Sequence, residues 1–120
     1  YDFVSPIKFE LRPNQTIKIP LGIKSYMQDG EVLAIVNRSS VGFKYNVRLV
    51  NQIGVVDGDY YNNAGNEGHC WLKIINEGEK TMKIDMGDNI CQGIFLPFLL
   101  ADGDSFEGEI RKGGIGSTDK

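Results

Sequence analysis

An all-β sandwich or barrel is the fold class this chain predicts, on three observations. Gly, Asn and Asp recur between short apolar runs, with 15 glycines in 120 residues. Several runs alternate apolar and polar residues at the period of a half-buried strand, and no window sustains an apolar stripe at the helical period. A chain of this length closes one hydrophobic core and not two. One β domain is therefore expected over residues 1–110, followed by a flexible glycine-rich strap over 111–120.

The elements follow in order. The first residue is Tyr1 and not Met, so the sequence reads as trimmed, with something missing upstream. Ile17-Lys18-Ile19 alternates up to Pro20, and Leu21-Gly22-Ile23 extends the run. Residues 31–36 are apolar and β-branched, as a strand prefers. One short helical turn fits residues 39–43. The runs 47–50 and 53–56 lie on either side of Asn51-Gln52, and Asp57-Gly58 is a strong hairpin signal. Residues 62–68 (Asn-Asn-Ala-Gly-Asn-Glu-Gly) read as a compact loop, because Asn and Gly tolerate positive φ. Residues 69–76 form the next strand. It opens on His69, the only histidine, which reads as structural. Met82-Lys83-Ile84 alternates again, and the apolar run 94–100 is interrupted by Pro97. The tail, from Arg111 to Lys120, is too rich in Gly, Ser and Thr to pack as an element.

Bulk properties exclude some classes. A net charge of −3 argues against nucleic-acid binding, which shows as a basic patch. No apolar run is long enough to span a membrane. Cys70 and Cys91 sit in strand-like apolar surroundings and read as buried reduced thiols, which suits a cytoplasmic protein.

Three stretches carry candidate chemistry. In Asn51-Gln52-Ile53-Gly54-Val55-Val56-Asp57-Gly58-Asp59-Tyr60 an apolar strand delivers Asp57 to a turn, a good place for a general base; a solvated turn explains the stretch about as well. Arg38-Ser39-Ser40 follows a strand and offers a guanidinium fork and hydroxyls suited to phosphate, or an ordinary helix cap. Gly87-Asp88-Asn89-Ile90-Cys91-Gln92 turns into a strand where Gln92, beside apolar neighbours, must find a polar partner.

Together with Tyr1-Asp2 and the tail from Arg111 through Gly113-Gly114-Ile115-Gly116-Ser117-Thr118, these stretches resemble the ordered motifs of the trimeric dUTPase family. Each motif alone is weak; their order and spacing over essentially the whole chain are specific. Residues 51–68 and Phe98-Leu99-Leu100-Ala101-Asp102-Gly103-Asp104 are most similar to dUTPases of Gram-positive bacteria and their phages.

The resemblance implies a distorted jelly-roll-like β fold, a homotrimer whose sites each draw on all subunits, and hydrolysis of dUTP to dUMP and pyrophosphate with Mg2+ on the triphosphate. By that resemblance Asp57 orients and deprotonates the attacking water, and Tyr60 packs under the deoxyribose. Asn51 with the backbone near it, through Val56, reads uracil. Arg38, Ser39, Ser40, Gln92 and Arg111 bind phosphates, and Ile115, Gly116 and Ser117 belong to the strap that closes the site. Asp2 supports the hydration shell of Mg2+. Ile115 stands where the family usually has Phe, so weaker substrate binding is expected, and a ring restored there should lower KM. Asn89 and Asp119 replace a common Arg and Gly, and the chain starts inside the first motif. Two other readings are a dCTP deaminase on a related fold, which needs a catalytic Glu context absent here, and a nucleotide-sensing protein with a phage or host regulatory partner.

Overall fold

The computed structural model describes residues 1–104. Its elements are β1 (Asp2–Val4), β2 (Phe9–Leu11), β3 (Thr16–Pro20), β4 (Glu31–Asn37), α1 (Ser39–Tyr45), β5 (Val47–Leu49), β6 (Gly54–Val56), a 3-10 turn (Gly58–Tyr60), β7 (Trp71–Asn76), β8 (Met82–Ile84) and β9 (Asn89–Pro97). The strands pair antiparallel in three sheets, ordered β1-β9-β4-β6, β2-β8 and β3-β7-β5, and no closed barrel forms among the described residues.

Alternation explains which faces meet. In β7, Leu72, Ile74 and Asn76 point inward while Trp71 and Lys73 point outward. In β4, Leu33 and Ile35 join the core with Ile19, Val47, Leu49, Met82, Ile90 and Cys91. Asn76 is a fully buried polar residue of this interior. Its side-chain amide donates to the carbonyls of Leu11 (2.9 Å) and Lys80 (2.7 Å), and its carbonyl accepts from the Gly78 N–H (2.9 Å). A buried amide so fully paired fixes three chain segments at one point.

The longest ladder joins β4 to β9, from Glu31 opposite Pro97 to Asn37 opposite Cys91. β1 lies on the other side of β9, with Asp2 opposite Gln92 and a register shift after Phe3. Gly93 is required there, since a Cβ on it would stand 2.4 Å from Cζ of Phe3. The Phe3 ring crosses the gap that this glycine leaves and so seats β1.

The structure adds to the sequence expectations and corrects some of them. The runs on either side of Asn51-Gln52 enter different sheets: β5 joins β7 and β6 joins β4. The turn at Asn51-Gln52, where Gln52 takes φ 71, therefore carries the chain from one sheet to another. Asp57-Gly58 is no two-residue hairpin; Asp57 keeps extended backbone and the chain coils into the 3-10 turn. Leu21-Gly22-Ile23 is not a strand, because Gly22 turns at φ 72, although Leu21 N–H and Ile23 C=O still bond to the backbone of Cys70. The single helix starts as expected, but its cap residue is Arg38, in extended conformation, and not a serine. β9 stops at Pro97, short of Leu100. The proposed strap, with Arg111, Ile115, Gly116 and Ser117, lies outside the described residues.

Candidate active site

Two groups of predicted site residues assemble at separate places. The first lies where β1, β9 and β4 run side by side. Asp2, Gln92 and Val36 share one cross-strand row, and Arg38 follows the end of β4. Gln92 Nε2 donates to Asp2 Oδ1 at 3.4 Å, and Arg38 Nε stands 3.8 Å from the same oxygen. Arg38 Nη1 donates to the Ser40 hydroxyl at 2.9 Å. Three motifs far apart in sequence thus meet through one carboxylate. The contacts are long and the side chains part-exposed, so this ion pair adds little to stability. Its value is placement: a guanidinium fork, an amide and a hydroxyl face solvent together. Ser39 is exposed next to them.

The second group surrounds the turn after β5. Arg48 Nη1 donates to the carbonyls of Leu49 (3.0 Å) and Val50 (3.3 Å), and Val50 N–H bonds to the Lys73 carbonyl (2.9 Å), bracing the approach to Asn51. A cavity of about 520 Å³ opens under this turn, and its walls include Asn51, Gly54, Val50, Trp71, Lys18 and Lys73. Val56 is buried, so anything it offers a ligand comes from its backbone. Asp57 follows, exposed at the end of β6, and Tyr60 lies half-buried at the end of the 3-10 turn with its hydroxyl donating to the His69 carbonyl at 2.7 Å.

Sequence reasoning missed Trp71, Lys18 and Lys73. The signal was present in the alternation, which puts Trp71 and Lys73 on one face of β7 and makes Lys18 the partner of Lys73 across the ladder. Two like charges directly opposite repel; Lys18 Nζ sits 4.7 Å from the centre of the Trp71 ring, which offsets part of that cost.

The two groups do not meet within one chain. In the β4–β6 register Leu33 faces Val56 and Ile35 faces Gly54, so Asp57 extends toward the start of β4 while Arg38 follows its end. At about 3.3 Å per residue, the register separates their backbones by roughly 20 Å. One small ligand cannot touch Arg38 and Asp57 of the same chain at once.

As to a metal, Asp2 places one exposed carboxylate beside Arg38 and Gln92, and no group of three His, Cys, Asp or Glu side chains gathers among the described residues. That donor set fits a hydrated Mg2+, which keeps several waters and takes other ligands from substrate phosphates.

Comparison with known proteins shows which family the chain resembles over its length. A family model described as dUTPase matches residues 1–118. The chain is 44% identical over 119 residues to the deoxyuridine 5'-triphosphate nucleotidohydrolase of Lactococcus lactis, covering 98% of this chain and 79% of that protein. The crystal structure of a Streptococcus mutans dUTPase superposes with a TM-score of 0.77 at 43% identity, covering 86% of this chain and 80% of that one. A dUTPase from phage phi11 of S. aureus, described with a structural Mg(II) ion, shares the fold with a TM-score of 0.70 at 19% identity, over 90% of this chain and 82% of that one. With a family model spanning nearly its whole length, and with β1, β4 and β9 bringing the matching motifs together, the chain belongs to the dUTPase family.

Proposed function

We propose that this chain is a dUTP diphosphatase, cleaving dUTP to dUMP and pyrophosphate at sites shared between copies of a homotrimer. The observation that carries the reading is the meeting of Asp2, Arg38, Ser40 and Gln92 at one end of the β1–β9–β4 ladder, in a chain of this family. Arg38 and Gln92 grip phosphate oxygens and Ser40 keeps the guanidinium aimed. Asp2 supports the water shell of Mg2+, which when bound neutralises triphosphate charge. Asp57 of a second copy holds a water and takes its proton as the oxygen attacks the α-phosphorus; the bond to the bridging oxygen breaks and pyrophosphate leaves. Little covalent help is needed in such a transfer, so placement and charge carry the rate. Asn51 reads the uracil edge at the mouth of the cavity under its turn, and Tyr60 lies beneath the sugar. Arg111, Ile115, Gly116 and Ser117 close over the site from a third copy.

Assembly has its own support. Val55 and Ile94 both face Ala34, and Leu96 faces Val32, so these side chains share one face of the sheet. That face is apolar yet open, with Val55 60%, Ile94 45% and Leu96 43% exposed. It runs on into the row that holds Gln92 and Asp2, so a copy covering it borders the phosphate cluster.

The test is direct: the purified protein is mixed with Mg2+ and, separately, dUTP, dCTP, dTTP or UTP. Rapid pyrophosphate release is expected from dUTP, with UTP turned over far more slowly and dCTP and dTTP left intact. Ammonia from dCTP would instead mark a deaminase, and no pyrophosphate from dUTP would mark a protein that only binds the nucleotide.

A further inference from the structure

We propose that Asn66 is a positioning residue for sugar discrimination, acting through the hydroxyl of Tyr60. The inference deepens the site reading above and rests on Tyr60 lying beneath the deoxyribose.

A 3-10 turn as short as Gly58–Tyr60 does not by itself fix a ring. The Tyr60 ring packs one side on the core, and its tip is held by directed bonds. The hydroxyl donates to the His69 carbonyl at 2.7 Å and accepts from Asn66 Nδ2 at 2.9 Å. The orientation of the Asn66 amide is dictated by its surroundings. Its Oδ1 faces only donors, Asn63 Nδ2 at 2.7 Å and the Gly68 N–H at 3.0 Å, which leaves Nδ2 for the tyrosine oxygen. Asn63, buried at 5% exposure, closes the circuit: its Nδ2 also donates to the Tyr60 main-chain carbonyl at 2.7 Å, and its Oδ1 accepts the N–H groups of Gly65 and Asn66 at 3.0 Å.

The loop therefore grips Tyr60 at both its backbone and its hydroxyl. Close packing reinforces the grip. Gly68 takes φ 87, and a Cβ there would lie 2.9 Å from the Tyr60 carbonyl oxygen. The far side is anchored too, because His69 Nε2 accepts the Gly22 N–H at 2.9 Å. A compact surface turn has no need to spend two asparagine side chains on one tyrosine. A ring that rejects a 2′-hydroxyl by contact does need a fixed pitch, since small displacements at a reacting site cost large factors in rate.

The experiment compares kcat/KM for dUTP with that for UTP in the full chain and its variants. Asn66→Asp keeps the acceptor that folds the loop and replaces the donor to Tyr60 with a charged oxygen that cannot donate to the hydroxyl. It is expected to lower the dUTP:UTP ratio about two- to tenfold, the worth of one hydrogen bond. Tyr60→Phe, which removes the hydroxyl and leaves Asn66 intact, should lower it equally, and the double variant should lose no more than either. Asn62→Gly breaks a loop contact to Lys24 that does not involve Tyr60 and should leave the ratio unchanged. If Tyr60→Ala lowers the ratio while Tyr60→Phe or a folded Asn66→Asp keeps it, the role of Asn66 is overturned and that of Tyr60 stands. Additive losses in the double variant, or an equal loss in Asn62→Gly, also overturn it. An unchanged ratio in Tyr60→Ala removes Tyr60 from beneath the sugar and takes the proposal with it.

Discussion

Asp57 holds extended backbone, φ −79 and ψ 163, between a paired strand and a 3-10 turn. Ordered elements on both sides fix its backbone, a setting that suits the general base proposed for it. Asp57→Asn retains the shape and removes the basicity. It should leave dUTP binding intact by calorimetry while turnover falls by about 10²- to 10⁴-fold. Cys91 bears on stability and not on turnover. Burial pushes its thiol up to about 12, with the neighbouring Cys70 adding to the effect. A native pKa raised above the unfolded value, about 8.5, means the folded state keeps a proton that the unfolded chain releases. Its contribution is complete below that value and disappears as pH climbs toward the native one. Denaturant midpoints measured from pH 8 to 11 should therefore fall more steeply for the parent than for Cys91→Ala.

At the level of elements, β1 is short and depends on the gap at Gly93. A methyl group there meets Cζ of Phe3 at 2.4 Å and Cδ1 of Leu33 at 3.1 Å. Gly93→Ala should cost about 1–3 kcal/mol through this overpacking. It should also raise the Mg2+ concentration needed for half-maximal rate, because the displaced strand carries Asp2. Adding Phe3→Leu should restore part of the melting temperature. None of this was legible in the sequence, where β1 and β2 are too short to show a period. Longer strands were legible: Lys18 between Ile17 and Ile19, and Lys73 between Leu72 and Ile74, marked β3 and β7 by alternation alone. Asp57-Gly58 misled because the dipeptide is a local signal, whereas the 3-10 turn is tied by hydrogen bonds between Tyr60 and residues further along, Asn66 in the following loop and His69 just past it. The candidate site residues were named by motif; that Asp2 joins Gln92 and Arg38 is a matter of strand order, which no local pattern encodes.

At the scale of the whole molecule, the β4 register keeps the phosphate cluster and Asp57 at opposite ends of one strand. The proposed function then calls for sites shared between copies, and a complementation test checks it. Arg38→Ala and Asp57→Asn should each be nearly inactive alone. Unfolded together and refolded as mixed assemblies, they should recover part of the parental pyrophosphate release, since some interfaces then combine an intact Arg38 with an intact Asp57. No recovery in mixed assemblies of confirmed size would place both residues in one chain's site. The cavity beneath the Asn51 turn has a further use. Its wall contains Trp71, the single tryptophan of the chain. Ultraviolet emission excited at the red edge thus arises from one spot beside the Asn51 turn, and if the proposed base site is there, arrival of a nucleotide should change the protein's own light, without a dye.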